Sequence, residues 1–197
     1  MRVRLKVLAA GMLTVSLAGC GVGASGSASA PLEITAQTAT AVAASSPPAQ
    51  GQPAAGVVRL TGDLRDPRDL HVGELATLPQ QTVSVQFGSG SGPQSHIEQG
   101  VLLSDLLPVE ALATTDSKHD ELTFGVLVTG SDGHAALVSY GEISPDFGNR
   151  GILLATSEDG AALERPRLVV PGDVKGARYV SEVIELRVVR TAGGPPE

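Results

Sequence analysis

The chain has 197 residues, with 14 Lys and Arg against 21 Asp and Glu, a net charge of −7. An acidic chain lacks the clustered cations that displace counterions from a phosphate backbone, which argues against a nucleic-acid partner and against docking on anionic headgroups. One cysteine precludes a disulfide within the chain, so the fold rests on its apolar core.

Residues 1–19 carry Arg2, Arg4 and Lys6, then an apolar run from Val7 to Leu17. That run is short of the roughly 20 apolar residues needed to cross a bilayer, and with small residues behind it reads as a secretory signal. The string Leu17-Ala18-Gly19-Cys20 resembles the lipobox of bacterial lipoproteins. The resemblance implies that Cys20 takes a diacylglycerol and becomes the new N-terminus, so the protein is extracytoplasmic, anchored at the periplasm or cell surface. The one thiol is then an anchor. Removing the three cations of residues 1–19 from the 14 leaves 11 against 21 acids, a net of −10 over 178 residues.

Residues 20–56 are the lipidated cysteine and a tether. Gly21 to Gly56 is built mainly of Gly, Ala, Ser, Thr, Pro and Gln, with Glu33 its one charge. Such a segment buries too little apolar surface to offset its ordering entropy and is expected to be disordered, with a span of roughly 30–36 Å. Residues 57–190 are long enough for a self-sufficient core, and residues 191–197 read as a frayed tail.

Within the folded part, Val57 to Thr61 is a strand and Asp66-Pro67-Arg68-Asp69 a turn. Val72 to Leu78 suits a short helix that Pro79 stops. Thr82 to Phe87 alternates, with Val83, Val85 and Phe87 on one face. Gly88-Ser89-Gly90-Ser91-Gly92-Pro93 follows as a hairpin or mobile loop, then a polar strand from Gln94 to Gln99. Val101 to Leu107 has helical spacing and Pro108 interrupts it. Leu122 to Thr129 and Ala135 to Tyr140 flank a hairpin turn at Gly130-Ser131-Asp132-Gly133. The apolar run Gly151 to Thr156 is a strand buried on both faces, and Arg167 to Val170 and Val183 to Val189 complete the set. About eight mostly antiparallel strands with two or three short helices make an α+β domain.

Taken together, Leu60-Thr61-Gly62, Leu70 to Leu78, Gly100 to Leu107, Ser131-Asp132-Gly133, Asp159 to Leu163, Pro166 to Gly172 and Gly176 to Val180 resemble, in order and spacing, the molybdopterin-binding oxidoreductase domain of sulfite-oxidase-like proteins. The resemblance implies a mixed, mostly antiparallel sheet fold around a pterin site. In that family a cysteine after the early strand ligates molybdenum; here the strand from Val83 to Phe87 runs into Gly88-Ser89. A lysine and tryptophan of the family are replaced by Ser181 and Glu182, so a pterin phosphate would meet a carboxylate.

The histidines His71, His96, His119 and His134 show no metal-ligand spacing, so no metal site is assigned. Gly88-Ser89-Gly90-Ser91-Gly92 has glycine where a nucleophile elbow needs serine, so no catalytic residue is assigned. By resemblance, Arg167, Lys175 and Arg178 lie near the loops that face the pterin. With Ser89 and His96 they are candidates for a small anion or cofactor. The expected function is a lipid-anchored module that binds a small anionic ligand or an envelope partner, without cofactor and without catalysis. The alternative is a molybdopterin-dependent oxidoreductase with oxygen in place of sulfur.

Overall fold

The computed structural model describes residues 51–191. Cys20, the signal and most of the tether lie outside them, as do residues 192–197 of the tail. Nine strands among the described residues form two sheets. The first has the order β2-β1-β9-β5-β6, from β1 (Val57–Gly62), β2 (Arg68–His71), β5 (Phe124–Gly130), β6 (Ala135–Ser139) and β9 (Val183–Arg190). The second has the order β3-β4-β7-β8, from β3 (Gln81–Ser89), β4 (Gly92–Leu102), β7 (Leu153–Glu158) and β8 (Ala161–Val169). All neighbours are antiparallel except β1 and β9, which run parallel from Arg59↔Glu185 to Gly62↔Val188.

Period-two alternation drives the apolar side chains to one side of each strand. Val58 and Leu60, Phe124, Val126 and Val128, and Leu186 and Val188 from the first sheet are buried in one cluster with Val85, Leu153, Leu154 and Leu168 from the second. The apolar run at Leu153-Leu154-Ala155 is buried at three successive positions, as a strand covered on both faces requires. The fold is α+β with mostly antiparallel sheets, as the sequence implies.

Several elements differ from the sequence reading. The segment at Arg68, expected as a turn, pairs with β1 as an edge strand. Strand β4 runs on to Leu102 because it is clamped between β3 and β7, which leaves one helical turn, α2 (Leu103–Leu106), of the helix expected from Val101. The helix from Val72 is likewise one turn, α1 (Val72–Leu75). Tyr140 leaves the strand and opens α3 (Tyr140–Ile143). Ser139 and Glu142 close a capping box there: Glu142 N–H donates to Ser139 Oγ at 3.3 Å and Ser139 N–H to Glu142 Oε2 at 3.2 Å.

Residues 51–56, placed by the sequence in the tether, are tied to the domain. Arg165 Nη2 donates to Pro53 O at 3.1 Å, Gln52 Nε2 to Ser131 O at 2.7 Å and Val72 N–H to Gly56 O at 2.9 Å. Their backbone has partners, which composition alone does not reveal.

Candidate functional site

The inward face of the second sheet carries a polar stripe. On β4 the residues alternate, so Gln94, His96, Glu98 and Gly100 share one face while Ser95, Ile97 and Gln99 are exposed. Register places Val83 of β3 and Glu158 of β7 opposite Glu98, and Arg167 of β8 opposite Ala155. Like charges directly opposite on paired strands repel. Arg167 answers this by pairing with both: its Nη1 contacts Glu158 Oε2 and lies 3.5 Å from Glu98 Oε1.

The loop between β8 and β9 covers the outer end of the stripe. Gly88 N–H donates to Val174 O at 2.8 Å, and Lys175 bridges Gly88 as a short parallel contact. Tyr179 stacks on Phe87 with ring centroids 4.3 Å apart. A Cβ on Gly176 would stand 2.6 Å from Phe87 Cδ2, so glycine lets the loop lie on that ring without displacing it. The result is a cleft of about 370 Å³ lined by Ser89, Gln94, His96, Glu158, Arg167, Tyr179 and Ser181, among others.

Asp159 fixes the histidine. It takes φ +51° and Gly160 φ +81°, the paired positive angles of a tight hairpin between β7 and β8. From that turn Asp159 Oδ1 accepts Ile97 N–H at 2.8 Å and Oδ2 meets His96 Nδ1 at 2.9 Å. The Ile97 amide first, and His96 second, hold the Asp159 carboxyl below the usual carboxylate range. With Nδ1 engaged, Nε2 is the free ring nitrogen of His96.

Glu98 has the opposite environment. It has no exposed surface, and neither carboxylate oxygen has a hydrogen-bond partner. Burial pushes its pKa up, against the opposing pull of Arg167 and His96. The Tyr179 hydroxyl is also buried without a partner, and burial pushes that phenol to about 12.

Of the residues singled out by sequence, Ser89, His96 and Arg167 line this cleft. Lys175 instead borders the adjoining recess with Phe87, Ser89 and Gly176. Arg178 does not line it: its Nε and Nη2 donate to Asp173 at 2.8 and 2.6 Å, and its Nη1 to Glu142 at 3.2 Å. Two carboxylates satisfy that guanidinium, so it is no free cation for a ligand. Sequence reasoning missed Glu98, Glu158 and Tyr179. The polar alternation Gln94, His96, Glu98 on a strand was a signal for the first, since a second polar face is unusual where a strand is covered. Among the described residues, no group of three or more His, Cys, Asp or Glu side chains is arranged to hold a metal ion.

No family model matches this sequence, and no curated protein matches it. Among solved structures, the sulfane dehydrogenase SoxCD from Paracoccus pantotrophus is similar, with a TM-score of 0.55 and 18% identity. The likeness covers 70% of this chain and 39% of that one, so this chain spans about two fifths of its structural neighbour. At that identity the likeness shows the fold, which is sulfite-oxidase-like.

Proposed function

We infer that the chain is a lipid-anchored extracytoplasmic lipoprotein whose sulfite-oxidase-like domain binds a small ligand in the cleft beside Arg167 and does not carry out molybdenum chemistry. The observation that carries this reading is the donor set of the cleft. Its walls offer hydroxyls, an amide, an imidazole and a guanidinium already faced by two carboxylates. A molybdenum centre of the family's kind takes a thiolate, and residues 51–191 contain no cysteine. The negatively charged pterin phosphate also needs an excess of cations, whereas Arg167 is balanced by Glu158 and Glu98, and Arg178 by Asp173 and Glu142. The cofactor implied by the fold is therefore a poor match to these side chains.

Metal analysis of the full chain, purified from a molybdenum-replete host, tests the reading. Molybdenum well below one atom per chain is expected, and a stoichiometric content overturns it. Anchoring is tested separately by Cys20→Ser, which should leave the chain unlipidated and shift it out of the membrane fraction.

One observation favours the second reading, an oxidoreductase with oxygen ligation: Ser89 ends β3, where the family's cysteine follows its strand, and lines the cleft. It predicts pterin fluorescence in a denatured, oxidised extract, and a blank extract removes it.

A further inference from the structure

Beneath the cleft, one cation stands between two carboxylates. Arg167 Nη1 contacts Glu158 and lies 3.5 Å from Glu98, and the two glutamates face each other across β4 and β7. A carboxylate with no exposed surface and no hydrogen bond is costly to keep ionised. With both glutamates charged, an arriving anion meets a net negative site. With a proton on Glu98, the Arg167–Glu158 pair is neutral and the remaining N–H groups of Arg167 are open to an acceptor.

We propose that the cleft binds a small monoanion together with one proton, the anion on the cleft side of Arg167 and the proton on the Glu98 carboxyl. This deepens, and rests on, the reading of the cleft as a ligand site. The proton comes from solvent and cancels the charge that the anion brings, so the bound and free sites carry the same net charge. A dianion would leave one charge uncompensated, which sets the class of ligand. Ser89 and Ser181 line the same cleft, and the Ser89 hydroxyl donates to Gly92 O at 3.0 Å.

The groups that face Glu98 are few. His96 shares its strand, Glu158 and Asp159 come from β7 and its turn, Arg167 from β8 and Tyr179 from the covering loop; its partner on β3 is Val83, which is apolar. Among these side-chain types, imidazole alone ordinarily changes charge between about pH 5 and 8. Replacing His96 therefore separates its contribution from that of Glu98.

The test uses the full chain in detergent and nitrate, which stays ionised across the whole range. Calorimetry in two buffers of different ionisation heat counts the protons taken up. On the alkaline side of the Glu98 titration the count should approach one per nitrate, and affinity should fall about tenfold per pH unit. Sulfate should bind more weakly than nitrate. Glu98→Gln should bind nitrate with little pH dependence, His96→Gln should keep the slope, and Arg167→Met should lose saturable binding. The proposal is overturned by an absence of saturable nitrate binding, by binding without proton uptake, by a slope that survives in Glu98→Gln, or by undiminished binding in Arg167→Met. If Glu98→Gln fails to fold, the proton count on the unaltered chain decides. Stoichiometric molybdenum would overturn the reading of the cleft given above; a molybdenum-free protein that binds nitrate without a proton overturns this proposal alone.

Discussion

Glu98 illustrates how one side chain can be set against the stability of its own fold. Its pKa is raised by folding, so the folded chain holds that proton more tightly than the unfolded chain does. Below the ordinary value of 4.5 both states are protonated and the residue is neutral to stability. As pH rises past 4.5 the unfolded carboxyl ionises freely while the buried one resists, and the fold loses stability until the folded pKa is passed. Glu98→Gln should therefore raise Tm at neutral pH, with the gain fading as pH falls to 4.5; thermal unfolding across pH checks this. The tyrosines give a second readout at the same scale. The chain has two, Tyr140 and Tyr179, and burial pushes both from 10.0 to about 12. Tyr140 also donates from its hydroxyl to Leu107 O at 3.2 Å. Ultraviolet titration of the native chain should show no tyrosinate until pH nears 12, whereas the chain in denaturant should ionise near 10.

Between elements, close backbone approach decides which substitutions the fold tolerates. At the irregularity between Gln99 and Gly100, β4 runs so near β7 that a Cβ on Gly100 would overlap Leu154 O and Ala155 Cα. Neither atom can swing aside, since both are backbone. Gly100→Ala should destabilise the fold by about 1–3 kcal/mol, seen as a lower denaturant midpoint. Gly176→Ala meets only the Phe87 ring, a side chain that can shift, so it should disturb the cleft more than the fold. At the far end of β9, Arg190 pairs with Asp120, which begins the 3-10 turn Asp120–Thr123. The Thr115 N–H, donating at 2.6 Å, and to a lesser degree Arg190, hold the Asp120 carboxyl low. A depressed carboxylate stabilises the fold above its ordinary value of 3.8, and that contribution fades as pH falls through its folded value. Asp120→Asn should lower Tm at neutral pH, and the gap to the parent should narrow in acid.

For the whole molecule, the parallel pairing of β1 with β9 joins the first strand of the domain to the last. Either end is therefore needed to complete the first sheet. The contacts of Pro53 and Gly56 extend this requirement upstream of Val57. A fragment of residues 51–191 should unfold cooperatively with the midpoint of the full chain. One beginning at residue 57 should melt lower, because the Arg165 guanidinium loses its backbone acceptor. Circular dichroism on the two fragments distinguishes them.

The amino-acid order alone determined the strand content, the α+β class and the family-like succession of motifs, because period-two alternation and turn residues are local properties of the chain. It also marked Ser89, His96 and Arg167, through a glycine-rich loop and a cluster of cations. Helix lengths were not legible: α1 and α2 are cut to one turn by neighbouring strands and loops that belong to other parts of the sequence. Nor was the fate of the cations. Arg178 and Arg167 look alike in sequence, yet one is held by Asp173 and Glu142 while the other lines a cleft above Glu98. Charge pairing depends on which strands lie side by side. That is fixed by the packing of distant apolar faces, and only the tertiary structure decides it.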